Sequence, residues 1–293
     1  MIGVLAALVA LPTATRAGSA RDYLNVPVDS WLATYNFGAF SAVTPEDGTD
    51  VTSSLRSNVI MQSIAATRSF DFFGRTAGLT AVLPYVFANA SSGDFRASTN
   101  GLSDAGFLAQ VNIFGGPALS KMQFASFVPQ TFSSFHLYVG TPTGSYSPTT
   151  PLNPSANRWT IVPTINYSYT PDTGWTWLET YISTRVFGTN GDYRVGGSSR
   201  LSQKPLFVLE GHASRNLLPR LWVSLDAYYD VGGETSIDGV RQRNAANTLR
   251  LGAGLGLRVW RGCDVVVNYE GVVARPAGEP AAQAIRMTIR QFW

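Results

Sequence analysis

Apolar and polar residues alternate with a period of two along most of this chain. In "RWTIVPTINYSY", residues 158–169, the odd positions read Trp159, Ile161, Pro163, Ile165, Tyr167 and Tyr169. The even positions read Arg158, Thr160, Val162, Thr164, Asn166 and Ser168. "LWVSLDAYYDV" (221–231) places Leu221, Val223, Leu225, Ala227, Tyr229 and Val231 on one face, with Trp222, Ser224, Asp226, Tyr228 and Asp230 on the other. "TLRLGAGLGLRV" (248–259) sets six leucines, valines and alanines against arginine, threonine and glycine in the same way, and "AIRMTIRQFW" (284–293) repeats the split. A helix would return apolar residues every three to four positions, so this pattern predicts half-buried strands.

Twelve strands are predicted, at about 31–40, 55–68, 75–87, 104–114, 122–140, 158–169, 175–187, 204–214, 221–233, 245–260, 263–275 and 282–293. "FVPQTF" interrupts the fifth, and Pro163 predicts a bulge in the sixth, because proline cannot donate to a central ladder. The connections sort by parity. After even-numbered strands they are short ("SFDFFG", "GGPALSK", "TPDTG", "RNLLPR", "RG"). After odd-numbered ones they tend to be longer and polar, as in "TPTGSYSPTTPLNPSAN" and "GTNGDYRVGGSSRLSQKP". Short turns alternating with long loops, with an even strand count, are the mark of an outer-membrane barrel, its turns periplasmic and its loops extracellular. A soluble sandwich has no reason to sort its connections in this way. The expected fold is therefore a single all-β domain over residues 21–293, a transmembrane antiparallel β-barrel.

Composition agrees. Charged residues make up 14% of the 293, against about 25% in a typical soluble domain. No run reaches the ~18 apolar residues of a transmembrane helix, so any spanning has to be done by a closed barrel, which leaves no backbone group unpaired in lipid. Ten residues at about 3.3 Å each, tilted by about 40°, rise roughly 25 Å, the height of the apolar band between aromatic girdles. Trp159, Tyr167, Tyr169, Trp260 and Trp293 are the candidates for the membrane interface, where amphipathic rings settle.

Residues 1–20, "MIGVLAALVALPTATRAGSA", read as an export signal: an apolar core from Ile2 to Leu11, with Gly18 and Ala20 as the small residues before a cleavage site. No basic residue precedes the core, so translation is expected to start further upstream. Residues 21–30, "RDYLNVPVDS", are expected to fold back into the barrel from the periplasm and narrow it.

The polar faces carry both signs: Arg158, Arg185, Arg250, Arg258, Arg286 and Arg290 against Glu179, Glu210, Asp226, Asp230 and Glu270, with His212 among them. These are the candidate lumen-lining residues, either paired into a network that stiffens the wall or forming a track for solute; a strongly ion-selective pore would favour one sign. His212 in "LEGHAS" has Glu210 and Ser214 on its face, but neighbours two apart on one strand do not converge on one reacting atom as a triad must, and no catalytic residue is expected. "GAGLGL" lies within a strand with no helix after it, so it is not a phosphate loop. The one cysteine, Cys263, has no nearby metal-ligand partner, and neither metal nor cofactor is expected. A net charge of +3 and a pI near 9.1 come without a basic run or aromatic-basic motif, so nucleic acid is not an expected partner.

Three segments carry a family resemblance: "PTGSY…LNPSANRW" (142–159), "LWVSLDAYYDVGGETSIDG" (221–239) and "GVVARPAGE…W" (271–293), with "ARDY" at 20–23. They resemble the family of MetA-pathway-of-phenol-degradation proteins. That resemblance implies an outer-membrane barrel that passes small hydrophobic or aromatic compounds. It transfers no catalytic residues. An aromatic-ended final strand also resembles the signal read by the barrel-assembly machinery, an expected partner during biogenesis, with the lipid bilayer as the lasting one. The alternative is a non-conducting structural or surface-interaction barrel.

Overall fold

A computed structural model describes residues 18–45 and 54–293. Residues 1–17 of the expected signal lie outside the described residues.

Among the described residues, twelve strands close into one antiparallel ring. In chain order the strands are β1 (Trp31–Thr44), β2 (Leu55–Phe72), β3 (Arg75–Ser92), β4 (Phe95–Leu102), β5 (Gly106–Phe114), β6 (Phe132–Gly140), β7 (Thr160–Tyr169), β8 (Thr176–Phe187), β9 (Leu201–Gln203), β10 (Leu206–Leu218), β11 (Leu221–Gly232), β12 (Thr235–Ile237), β13 (Val240–Arg241), β14 (Ala246–Trp260), β15 (Cys263–Ala274) and β16 (Ala281–Phe292). β4 extends β3 as an outlying hairpin, and β9, β12 and β13 form a small separate sheet in the loops. The other twelve are the staves. The ring closes where β1 pairs with β16, from Leu32 opposite Phe292 to Val43 opposite Ala281. The backbone of Trp31 and that of Trp293 each donate to the other's carbonyl, at 3.2 and 3.1 Å. No edge is left open, as lipid requires.

The wall is inside out relative to a water-soluble barrel. Ile64, Leu79, Ile165, Leu225 and Ile285 face outward, Leu225 with 71% of its surface exposed, while Asn166, Glu179, Glu210 and Asp226 are buried inside. Leu251, Leu255 and Leu257 likewise point out. An outward apolar belt this continuous is stable only against another apolar phase.

The connections at one end are tight. Phe73 and Gly74 both take positive φ, 50° and 80°, giving the hairpin turn whose twist matches its strands. Pro219–Arg220 and Arg261–Gly262 are equally short. Two expectations need correction. The predicted strand at 122–140 begins only at Phe132. The segment before it is a turn of helix, α1 (Lys121–Phe124), nucleated by a capping box in which Ser120 accepts from the Gln123 amide and the Gln123 side chain accepts from the Ser120 amide. The connection read as the short "GGPALSK" is therefore a long one. Pro163 makes no bulge: the β7–β8 register is unchanged between Ile161 opposite Val186 and Thr164 opposite Ser183, and only the ladder pairing is interrupted.

Glycines on the inner face of β14 make room for large side chains. A Cβ on Gly256 would stand 2.1 Å from the indole of Trp222 on β11. Gly256→Ala is expected to destabilise the barrel by about 1–3 kcal/mol, the usual cost of overpacking. Urea unfolding from lipid vesicles measures this, and a matching Trp222→Leu change should relieve it.

Candidate functional site

The inner faces of β8, β10, β11, β14, β15 and β16 bring most of the candidate charges into one region. Register decides which meet. His212 lies opposite Asp226 on one side and Glu179 on the other. Its Nδ1 is 2.7 Å from Asp226 and its Nε2 3.6 Å from Glu210. Ser224 donates to the other Asp226 oxygen at 3.0 Å. All these groups are buried. Toward the long-loop end, Arg250 bridges Asp230, at 3.0 Å, and Glu270, while Arg286 reaches Glu270 from the opposite strand and Arg250 lies over the ring of Tyr228. Buried charges survive only when paired and hydrogen-bonded.

The other candidates are placed less centrally. Arg185 is buried on β8 and lines the same interior space. Arg158, just ahead of β7, is buried at the loop end, donates to the Gln203 side chain and lies over Phe187. Arg290 pairs with Asp22 near the turn end. Arg258 is not inside: its side chain is more than half exposed at the turn rim, paired with Asp264 at 3.0 Å, because the strand has already left the wall's inner shelter there. The five interface aromatics all point outward, each at least 43% exposed. The indole of Trp260 donates to Gln291 at 2.9 Å, which explains a polar residue on the outer face of the last strand.

The feature that shapes the interior is a segment of the chain itself. Ser30 and Ser69 exchange contacts at the turn rim, Val28 donates to Leu119 at 2.9 Å, and Asn25 bonds to Pro117 and Asn112. From there the chain climbs inward. Tyr23 packs against His136 with the rings tilted by 38° and their centroids 3.8 Å apart. The Arg21 amide donates to Glu179 at 2.7 Å, its guanidinium to Ser214 and Asn216, and its charge lies over Trp222. Ser19 bonds Asn268, and Ala20 is fully buried. Residues 18–30 thus occupy the turn-end half of the lumen. Above them the described residues leave a cavity of about 930 Å³, bounded below by Asp22, Tyr23 and His136 and walled higher up by Phe40, Tyr138 and Phe187.

Sequence reasoning had no place for Tyr181 and Tyr228, whose buried hydroxyls reach the carbonyls of Ser19 and Gly18. Their strand parity was available: Tyr181 shares a face with Glu179 and Arg185, and Tyr228 shares one with Asp226 and Asp230. A serine–histidine–carboxylate site does not form, since His212 faces carboxylates on both nitrogens and Ser214 accepts from Arg21.

The model of one protein family, described as "Putative MetA-pathway of phenol degradation", matches residues 33–271. The chain belongs to that family. Its match spans β1 through most of β15 and so takes in nearly the whole barrel wall of the phenol-degradation family member. No curated protein matches at the level of sequence. Among solved structures, the chain resembles the COG4313 outer membrane channel from Pseudomonas putida, with a TM-score of 0.80 at 16% identity, covering 94% of this chain and 100% of that one. It is also similar to the β-domain of the Bordetella autotransporter BrkA (TM-score 0.56, 12% identity, 89% and 98% covered). A third likeness is to the translocator domain of NalP from Neisseria meningitidis (0.53, 12%, 92% and 90%). At such identities these likenesses establish the fold.

Proposed function

We propose that the chain is an outer-membrane channel for passive movement of small hydrophobic or aromatic compounds, without catalytic activity. The observation that carries this reading is the partly filled interior: a closed wall with an apolar outside, a cavity of about 930 Å³ at the loop end, and a plug of the chain's own residues beneath it. A space of that size holds one small molecule rather than an open water column. Its aromatic side chains suit flat apolar rings, and its paired arginines and carboxylates offer polar contacts without one dominant sign. Membership in a family named for phenol degradation and likeness to a channel barrel both favour this reading. The long loops are then extracellular, the tight turns periplasmic, and an export signal is removed before assembly.

The plug favours one rival, a non-conducting barrel whose loops do the binding. Proteoliposome swelling separates the two. The solutes have to cross lipid slowly, so a phenyl glycoside should be compared with a free hexose of similar charge. Faster swelling with the phenyl glycoside is expected. Equal swelling would remove the aromatic preference while keeping the channel, and no swelling with either would leave the structural barrel.

A further inference from the structure

Gly18 lies inside the barrel, and its backbone nitrogen donates to Glu210 Oε2 at 2.7 Å in a buried contact. We propose that the leader is cut between Ala17 and Gly18, and that the α-ammonium released there is held in the lumen as the counter-charge of Glu210. The proposal rests on the exported-barrel reading and moves the processing site three residues upstream of the one the leader's small residues suggest.

Three observations place Gly18–Ala20 in the barrel rather than in the leader. Their carbonyls and side chains are taken by the wall: Tyr228 donates to the Gly18 carbonyl at 3.1 Å, Tyr181 to that of Ser19 at 3.4 Å, and the Ser19 hydroxyl to Asn268 at 3.1 Å. Ala20 has no exposed surface. Position 18 also admits only glycine, because a Cβ there would stand 2.7 Å from the Tyr181 ring and 3.1 Å from Glu210. A cut after Ala20 would discard all of these contacts.

The charge pattern fits an ammonium. Glu210 is buried, and the neighbouring His212 already serves Asp226 at the shorter distance, 2.7 against 3.6 Å. His212, Arg185 and Arg250 already lie within electrostatic reach of Glu210; a neutral amide satisfies one lone pair of the carboxylate but brings no charge of its own. An ammonium supplies both donor and charge. Ala17 and Thr15 are small enough for the −1 and −3 positions that a signal peptidase reads. In the step itself, water adds across the Ala17–Gly18 amide. The Ala17 carbonyl carbon takes the hydroxyl and, giving up its proton, leaves as a carboxylate, and the Gly18 nitrogen takes both protons of the water and leaves as an ammonium.

Amino-terminal sequencing of protein extracted from outer membranes is expected to read Gly-Ser-Ala-Arg-Asp-Tyr. A chain beginning at Arg21 overturns the proposal while leaving export intact. A chain retaining residues upstream of Gly18 overturns the proposal and the processed-export reading together. A second measurement needs no variant. The mature chain would carry three amines, the α-amine, Lys121 and Lys204. With an acylating reagent the folded barrel should label its α-amine about tenfold or more slowly than Lys121, since a buried group reacts only on local opening, and unfolding should abolish the difference. Glu210→Gln should narrow the gap. An α-amine that labels in the folded barrel as fast as Lys121 overturns the buried ion pair.

Discussion

Deleting residues 18–27 from the mature barrel raises single-channel conductance several-fold in a planar bilayer. The segment fills the turn-end half of the lumen. It is held by Arg21 on Glu179, Ser214 and Asn216, and by Asp22 on Arg290. Removing it connects the loop-end cavity to the periplasmic mouth. Arg21→Ala combined with Asp22→Asn should show a weaker form of the same effect, as brief openings rather than a steady increase, because the ring contact of Tyr23 with His136 remains. The wall should survive the deletion: its ladder from β1 to β16 does not pass through the segment. Conductance that stays at the wild-type level in a folded deletion variant would mean that the constriction lies elsewhere.

The second large effect belongs to the outer wall. Ile182 lies near the middle of β8 with 61% of its surface exposed. In water, arginine at such a position would be harmless. In a bilayer, Ile182→Arg should cost about 2–4 kcal/mol, the penalty for a cation on the lipid face near the midplane. Reversible urea titration into lipid vesicles, followed by tryptophan fluorescence, measures it. Ser183→Arg, one residue along and facing inward, is the wrong control because Ser183 is buried in the interior. Arg215, exposed at the turn end and bonded to Thr176, marks the depth where charge is tolerated, so a further charge at Leu217 should cost far less.

The barrel was legible because one outward residue in every two must be apolar when the surroundings are hydrocarbon. That demand repeats on every stave, so the strands from Leu206, Leu221 and Cys263 start close to where alternation begins. It fails where apolar residues serve another purpose. Met122, Phe124 and Phe127 extended the fifth strand in the reading, yet they belong to α1 and the turn after it, with Phe124 and Phe127 stacked on each other. The Ser120–Gln123 capping signal was present in the sequence, but one helical turn carries no periodicity to weigh against a strand. Pro163 was tolerated without a bulge because its neighbours keep register on both sides.

For the interior, parity named the inward side chains but could not pair them. Which charge meets which depends on the stagger between strands, so the meeting of His212 with Asp226, or of Arg250 with Glu270, is a property of the assembled ring. Arg258 shows the limit of parity alone: it has the inward phase but sits beyond the sheltered part of its strand. Gly18–Ala20 were read as the end of the leader because small residues suit a peptidase. The same smallness lets them pass between Tyr181, Tyr228 and Glu210.

The seam between β1 and β16 joins positions some 260 residues apart, Leu32 with Phe292. Closing so long a loop gives up chain entropy that local hairpins do not have to spend. Synthesis delivers the first stave early and its partner last, so until then the growing sheet has two raw margins, each able to capture another strand. A nascent chain halted before residue 281 would carry both margins exposed, and its natural fate is clearance or aggregation rather than a smaller pore.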